Sequence, residues 1–353
     1  MPDGGHGGPR AGVLRLRTVL CDMLGMRYPI IQDGMGPFST AALAAAVSDA
    51  GGLGTVSIPG MLLGPAEAGR RMRAEIDRTA SGTDRGFAVN VPVGFGSDGQ
   101  PLPPTAAYLK AVLDARRDPA IGARLVACIT SAGLPPPQLV SSMHDAGLLH
   151  LHKVGAVRHA RRAVEAGVDV VIASGFEMGG HTHARPVHTM VLAPQVIDAV
   201  EVPVVVSGGI HDGRGLAAAL AMGAAGVGMG TRFIATLEND WHPAYKKAIV
   251  DAAEWGDVVF PGFFGPLRGL RNAGSVRLAE LMAAGELDED GLTAWKEDRV
   301  VAAQHDGDVD GGLVLAGQCA AAIHDIVAVP DLLAGMVRQA SDLLAAAGAL
   351  AAG

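Results

Sequence analysis

Short apolar runs recur along the chain at residues 28–31, 53–58, 87–91, 125–129, 148–154, 168–173, 202–206 and 225–229, each rich in Val, Ile, Leu or Ala on both alternating sets of positions. Strands that are apolar on both faces belong to a parallel sheet covered on both sides. The intervening stretches carry helical spacing: an Ala-rich segment ending at residue 50, then 66–78, 106–117, 138–145, 157–166 and 194–200, with one further helix length between 206 and 225. Ser39 or Thr40 can cap the first of these, and Gly51-Gly52 and Gly167 end two of them. Eight strand-helix repeats predict an α/β fold of the (β/α)8 TIM-barrel type. The competing doubly wound sheet lacks support, because no strand runs into a G-x-G-x-x-G turn.

Beyond residue 236 the pattern changes. Residues 241–255 read as helix, 260–269 as a loop of Gly, Pro and Phe, 276–299 as an acidic helical pair, 307–317 as a turn and 318–347 as an amphipathic helix. The expected organisation is a flexible tail over 1–17, a barrel built from 18–236 with 307–350, and a C-terminal helical flank or lid, 237–306, over the barrel mouth.

Length and composition are consistent with this layout. The chain of 353 residues accommodates a barrel of about 250 residues plus an appendage. Its 49 Gly and 21 Pro beside 49% hydrophobic residues indicate many strand-loop-helix junctions rather than disorder. A net charge of −8 argues against a nucleic-acid partner, and the basic run 158–162 reads as a solvated helix face. Cys21, Cys128 and Cys319 form neither a disulfide framework nor a metal pattern, so a reducing cytoplasm is the expected location. No apolar run approaches the roughly 18 residues of a membrane span, and residues 1–12 lack a signal peptide's apolar core. The expected partner is therefore a small-molecule substrate, and a homodimer is left open.

Catalytic groups in such barrels sit at the C-terminal ends of strands. That placement selects Gln32, Met35, Asn90, Thr130, Lys153, Ser174, Glu177, His181 and two Gly clusters, Gly208-Gly209 and Gly228-Met229-Gly230-Thr231. Glycine at a strand mouth lets backbone N–H groups approach an anion, and two adjacent mouths can grip one phosphate. The alternative reading is two Gly-rich turns with no ligand. In the sixth loop, Gly179-Gly180 lets the backbone fold tightly while the His181 imidazole projects into the mouth, where it can exchange a proton near neutral pH. His181, His183 and His188 invite a metal reading, but no Cys or carboxylate completes a set of ligands, so no metal is expected. Cys128 is assigned to the core.

These residues resemble the nitronate monooxygenase (2-nitropropane dioxygenase) superfamily of FMN-dependent TIM barrels, which also contains flavin enoyl-ACP reductases and NADH:quinone reductases. The matching pieces are Pro29-Ile30-Ile31-Gln32, Gly34-Met35, Asn90, Gly175-x-Glu177-x-Gly179-Gly180-His181, Gly208-Gly209-Ile210 and Met229-Gly230-Thr231-Arg232, spread over about residues 28–345. The resemblance implies non-covalent FMN, its phosphate held by Gly208, Gly209, Gly230 and Thr231. Asn90 would lie near the ring, and Gly34, Met35, Ser174, Gly179, Gly180, Gly228 and Met229 would complete the cofactor-binding set. His181 matches the family's proton donor or base.

The chain departs from the family pattern in three places. Ser174 stands where nitronate enzymes commonly carry Gln, Met178 replaces a small residue, and His183-Ala184-Arg185 replaces a glycine after the histidine. These changes reshape the substrate side. The expected reaction is oxidation of alkyl nitronates with O2 to a carbonyl compound and nitrite. The alternative is an NAD(P)H-dependent flavin reductase of an enoyl thioester or a quinone, with a catalytically idle flavin- or phosphate-binding module as a third reading.

Overall fold

The computed structural model describes residues 16–37, 39–60, 62–94, 103–262 and 265–352. The tail expected over 1–17 falls outside the described residues except for its last two. Eight parallel strands form the central sheet: β1 (Ile30–Gln32), β2 (Gly54–Val56), β3 (Phe87–Pro92), β4 (Leu125–Ser131), β5 (Leu149–Val154), β6 (Val170–Ser174), β8 (Val204–Ser207) and β9 (Gly226–Met229). Their order is β1-β9-β8-β6-β5-β4-β3-β2, and an Ile31–Leu53 bridge brings the two ends together. The sheet is thus a (β/α)8 barrel, as the apolar runs predict.

The barrel is a packed core rather than a pore. Ile31, Ala88, Ile129, Leu151, Ile172 and Val205 from six strands share one buried cluster, joined by Leu20, Cys21 and Leu24 of the helix Val19–Leu24. That helix plugs the N-terminal end, tied by the Thr18 hydroxyl donating to Ala225 O at 2.5 Å. The seam between β1 and β2 is closed by the Gln32 side chain. Its amide nitrogen donates to Thr55 O at 3.0 Å and its oxygen accepts from Thr55 N at 2.9 Å, so a primary amide replaces the missing peptide of the ladder. Gln32 is therefore spent on closure and is not available for chemistry.

Thr130 is likewise committed elsewhere. Its hydroxyl lies 2.7 Å from His150 Nε2 and 2.8 Å from His152 Nδ1, and all three side chains are buried. One hydroxyl has one proton, so it donates to one ring and accepts from the other. Cys128 is fully buried in the core, and burial pushes its thiol up to about 12.

A second sheet stands at the barrel mouth: β7 (Gly180–His181), β10 (Asp257–Pro261) and β11 (Pro266–Leu270), all antiparallel in the order β10-β11-β7. The stretch 260–269, expected to be a loop, is therefore largely a hairpin. Its second strand, β11, pairs Leu267 with His181 and Arg268 with Gly180. The helix after β7, Thr189–Ile197, begins five residues before the expected start and carries Pro194 in its interior. Helices Ala273–Ala284 and Glu289–Val301 form the expected acidic pair, and Val329–Ala352 packs on helices Gly213–Ala221 and Ala41–Ala50. No helix among the described residues is long and apolar enough to cross a membrane.

The buried histidines make stability pH-dependent. Burial first, then neighbouring imidazole charge, pulls His150 down to about 3, and burial foremost pulls His152 down to about 4. The unfolded chain therefore takes up protons first, near pH 6.5, and stability falls as pH drops from there through the folded values, by about 1.4 kcal/mol per pH unit for each ring. Thermal unfolding followed between pH 7 and 5, above the carboxylate range, is expected to show a falling midpoint. The slope should become shallower in a His150→Gln/His152→Gln variant. An unchanged slope in that variant would remove these rings as the cause.

Candidate functional site

The C-terminal ends of the barrel strands open into a cavity of about 290 Å³. Its floor holds a charged group that strand positions dictate. Asp33 follows β1 and Lys153 lies on β5, with Lys153 Nζ 3.1 Å from Asp33 Oδ1, while the Ser207 hydroxyl at the end of β8 donates to Asp33 Oδ2 at 2.5 Å. Both ionic side chains are largely shielded from water, so each stabilises the other's charge more than an exposed pair would. Lys153 was selected by strand-end placement; Asp33 was passed over although it directly follows Gln32.

The two Gly-rich mouths lie side by side on one wall. Gly208 and Gly209 have φ of 100° and 76°, left-handed values that let two successive amides turn toward the same point. The amides of Gly208, Gly209 and Gly230 find no acceptor among the described residues. Unsatisfied donors lining a cavity are what an anion would complete. Thr231 lies beside them and its hydroxyl oxygen accepts from Gly317 N at 2.9 Å.

Glu177 holds this wall in place. Its carboxylate accepts from Thr189 N at 3.0 Å and from the Thr189 hydroxyl at 2.8 Å, at the start of helix Thr189–Ile197, where a negative charge is favoured. The Thr189 oxygen also lies 2.9 Å from Gly208 O. His188 Nδ1 adds a contact at 3.3 Å to the same carboxylate. Glycine at 179 is required for a different reason: a Cβ there would lie 2.5 Å from Ala316 C and Gly317 N, where the returning chain passes.

His181 projects from β7 into the cavity. Burial, and secondarily the Lys296 ammonium, pull its imidazole down to about 4, so it is neutral at physiological pH. The strand that carries it is clamped from behind. Thr182 N donates to Pro266 O at 2.8 Å, and Arg268 donates to Phe176 O at 3.0 Å while its guanidinium lies 4.6 Å from the Phe176 ring centre and pairs with Asp257. From the segment 237–306, Trp241, Val300 and Gln304 line the cavity, and the Trp241 indole donates to Ser39 O at 3.1 Å. Cys319 also lines it, but burial pushes the thiol up to about 11, which keeps it protonated.

Of the residues selected from the sequence, Gly34, Met35, Asn90, Gly179, Gly180, His181, Gly208, Gly209, Gly228, Met229, Gly230 and Thr231 all line this cavity. Ser174 does not. It pairs in register with Ser207 but is fully buried behind the wall, and its hydroxyl has no protein partner. The histidine cluster divides among separate partners, with His183 Nε2–H donating to Ser174 O at 3.1 Å and His188 facing Glu177. Among the described residues no group of three metal-binding side chains converges.

A family model for nitronate monooxygenase matches residues 17–339. The chain belongs to this family. Its relatives include a (3aS,4S,5R,7aS)-5-hydroxy-7a-methyl-1-oxo-octahydro-1H-indene-4-carboxyl-CoA dehydrogenase of Mycobacterium tuberculosis, 32% identical over 96% of this chain and 99% of that protein. The structure of FabK from Thermotoga maritima matches with a TM-score of 0.80 at 30% identity over 95% and 99% of the two chains. That of a nitroalkane oxidase from Streptomyces ansochromogenes matches at 0.78 and 28% identity over 94% and 100%. The protein is therefore an oxidoreductase of a flavin-dependent family, and the free amides beside a Gly-lined wall fit a flavin phosphate.

The Thr189 hydroxyl sits between the Glu177 carboxylate and Gly208 O, with one proton to donate to either. A Thr189→Val variant is expected to weaken flavin retention by about tenfold, one lost charge-assisted hydrogen bond, with little change in the far-ultraviolet circular dichroism. Retention equal to the wild type on ultrafiltration would show that the loop holds its shape without it.

Proposed function

We propose that this enzyme takes FMN and oxidises carbon acids in the nitronate monooxygenase manner, turning alkyl nitronates and O2 into a carbonyl compound and nitrite. The observation that carries this reading is the neutral state of His181. With its imidazole at about 4, a neutral ring faces the cavity at pH 7, ready to accept the α-proton of a nitroalkane or to donate an N–H bond to a nitronate oxygen. Reduction of an enoyl thioester would instead use this ring as the proton donor.

The remaining groups fit the same task. Bound FMN would accept the substrate's electrons and pass them to oxygen. The amides of Gly208, Gly209 and Gly230 with Thr231 would bind its phosphate, and Asn90, Met35 and Gly179 would orient the ring. Trp241, Val300 and Gln304, which line the same cavity, would exclude water from the reacting face. A second reading, dehydrogenation of a CoA thioester, is favoured by the nearly end-to-end match with a CoA dehydrogenase. It also removes a proton from a carbon acid and uses the same base.

Under anaerobic conditions, propyl nitronate is expected to bleach the flavin absorbance of the purified holoprotein, whereas NADH and NADPH leave it unchanged. His181→Asn, with its flavin retained, is expected to lose at least about a hundredfold in kcat/KM for nitropropane and much less for propyl nitronate, which needs no base. Bleaching by NADH or NADPH with none by nitronate would overturn the proposal in favour of the reductase.

A further inference from the structure

We propose that Lys296 sets the charge preference of the cavity: its buried ammonium, on helix Glu289–Val301, favours the anionic nitronate over the neutral nitroalkane. The identity of the anion rests on the carbon-acid reading of the site, whereas the preference for negative charge stands on the observations that follow.

A lysine on a helix ordinarily keeps its ammonium in water and buries only its stem. Lys296 is buried, and its Nζ donates to Gly262 O at 2.8 Å. That carbonyl orients the charge without cancelling it. Burial pulls the ammonium below the ordinary lysine range, as removal of water from a cation does.

The contacts around Gly262 tie this charge to the reacting histidine. Gly262 closes on Leu267 so tightly that a Cβ at 262 would lie 2.4 Å from Leu267 Cγ, and Leu267 pairs in register with His181. Val300, one turn beyond Lys296 on the same helix face, lines the cavity and shares a buried cluster with Leu267. Lys296 therefore stands directly behind the cavity wall that carries His181 and acts on the cavity through its field. His181 already registers that field, since the ammonium adds to burial in holding its ring uncharged.

The wall itself supplies no net positive side chain among the described residues. Its titratable members are Asp33, Lys153, Glu177, His181, His183 and Cys319. Lys153 and Asp33 compensate each other at 3.1 Å, and Glu177 is held by Thr189 and His188. Burial lowers both imidazoles and raises the Cys319 thiol, which leaves all three uncharged. An anion entering the cavity finds its attracting side-chain charge in Lys296.

One fixed cation treats the two substrate forms differently. A nitronate carries a full negative charge and is drawn to it. A nitroalkane enters neutral; when its α-carbon gives a proton to the His181 ring, the C–H bond breaks, an N–H bond forms, and an anion appears beside an imidazolium. The ammonium attracts the first and repels the second, so the two effects offset.

The test uses the flavin-loaded protein at pH 7, titrated with butyrate, which matches propyl nitronate in length and charge, and with butyramide, its neutral counterpart. Flavin absorbance reports binding to wild type, to Lys296→Gln, which retains a donor for Gly262 O, and to Lys296→Arg, which retains the charge. The Gln variant is expected to weaken butyrate at least about tenfold and butyramide by less than about threefold, with the Arg variant close to wild type for both. Butyrate bound equally well by wild type and the Gln variant, or not bound by wild type, would overturn the inference. Equal weakening of both ligands would overturn it too, since that marks a structural tie to the hairpin rather than a charge effect. The titration involves no turnover, so a failure of nitronate to bleach the flavin would count against the proposed reaction and not against the charge preference.

Discussion

The pairing of β7 with the hairpin of β10 and β11 is the constraint on which the chemistry depends. A two-residue strand has almost no stability of its own. Here it becomes the edge of a three-stranded sheet, fixed by Thr182 N on Pro266 O and by the Arg268 guanidinium, which is shared among Asp257, the Phe176 carbonyl and the Phe176 ring. This sheet fixes His181 at the cavity, where burial keeps its imidazole neutral. The hairpin therefore matters to the chemistry by holding β7 in place, although none of its described residues lines the cavity.

Around that histidine the cavity separates its electrostatic tasks. Lys153, Asp33 and Ser207 place a compensated charge at the floor, where burial strengthens the pair. The phosphate wall has no cationic side chain and relies on backbone amides set by Gly208 and Gly209, with Glu177 fixing the loop through Thr189.

Much of this was legible in the sequence. The eight apolar runs became the eight barrel strands because burial on both faces leaves its mark at every position, and the glycines at residues 208, 209, 228 and 230 were marked by their place at strand ends. The rest depended on partners that local pattern does not reveal. Pro266 and Gly269 give residues 260–269 the composition of a loop, and only the ladder to β10 and β7 makes them a strand. Pro194 suggested a helix start, yet the helix begins at Thr189, where Glu177 satisfies its first amide. Gln32, Thr130 and Ser174 occupy the strand-end positions of functional residues but serve the seam, a histidine pair and the buried wall. Asp33 was missed because its role appears only when Lys153 and Ser207 converge on it.

The central claim is that the fold holds His181 neutral, and the direct measurement is the titration of its imidazole by NMR, assigned by comparison with His181→Asn. The account predicts that the ring takes its proton near pH 4, well below an ordinary histidine. Half-protonation near 6.5 would contradict it, because a ring that charges so readily has not been withdrawn from water.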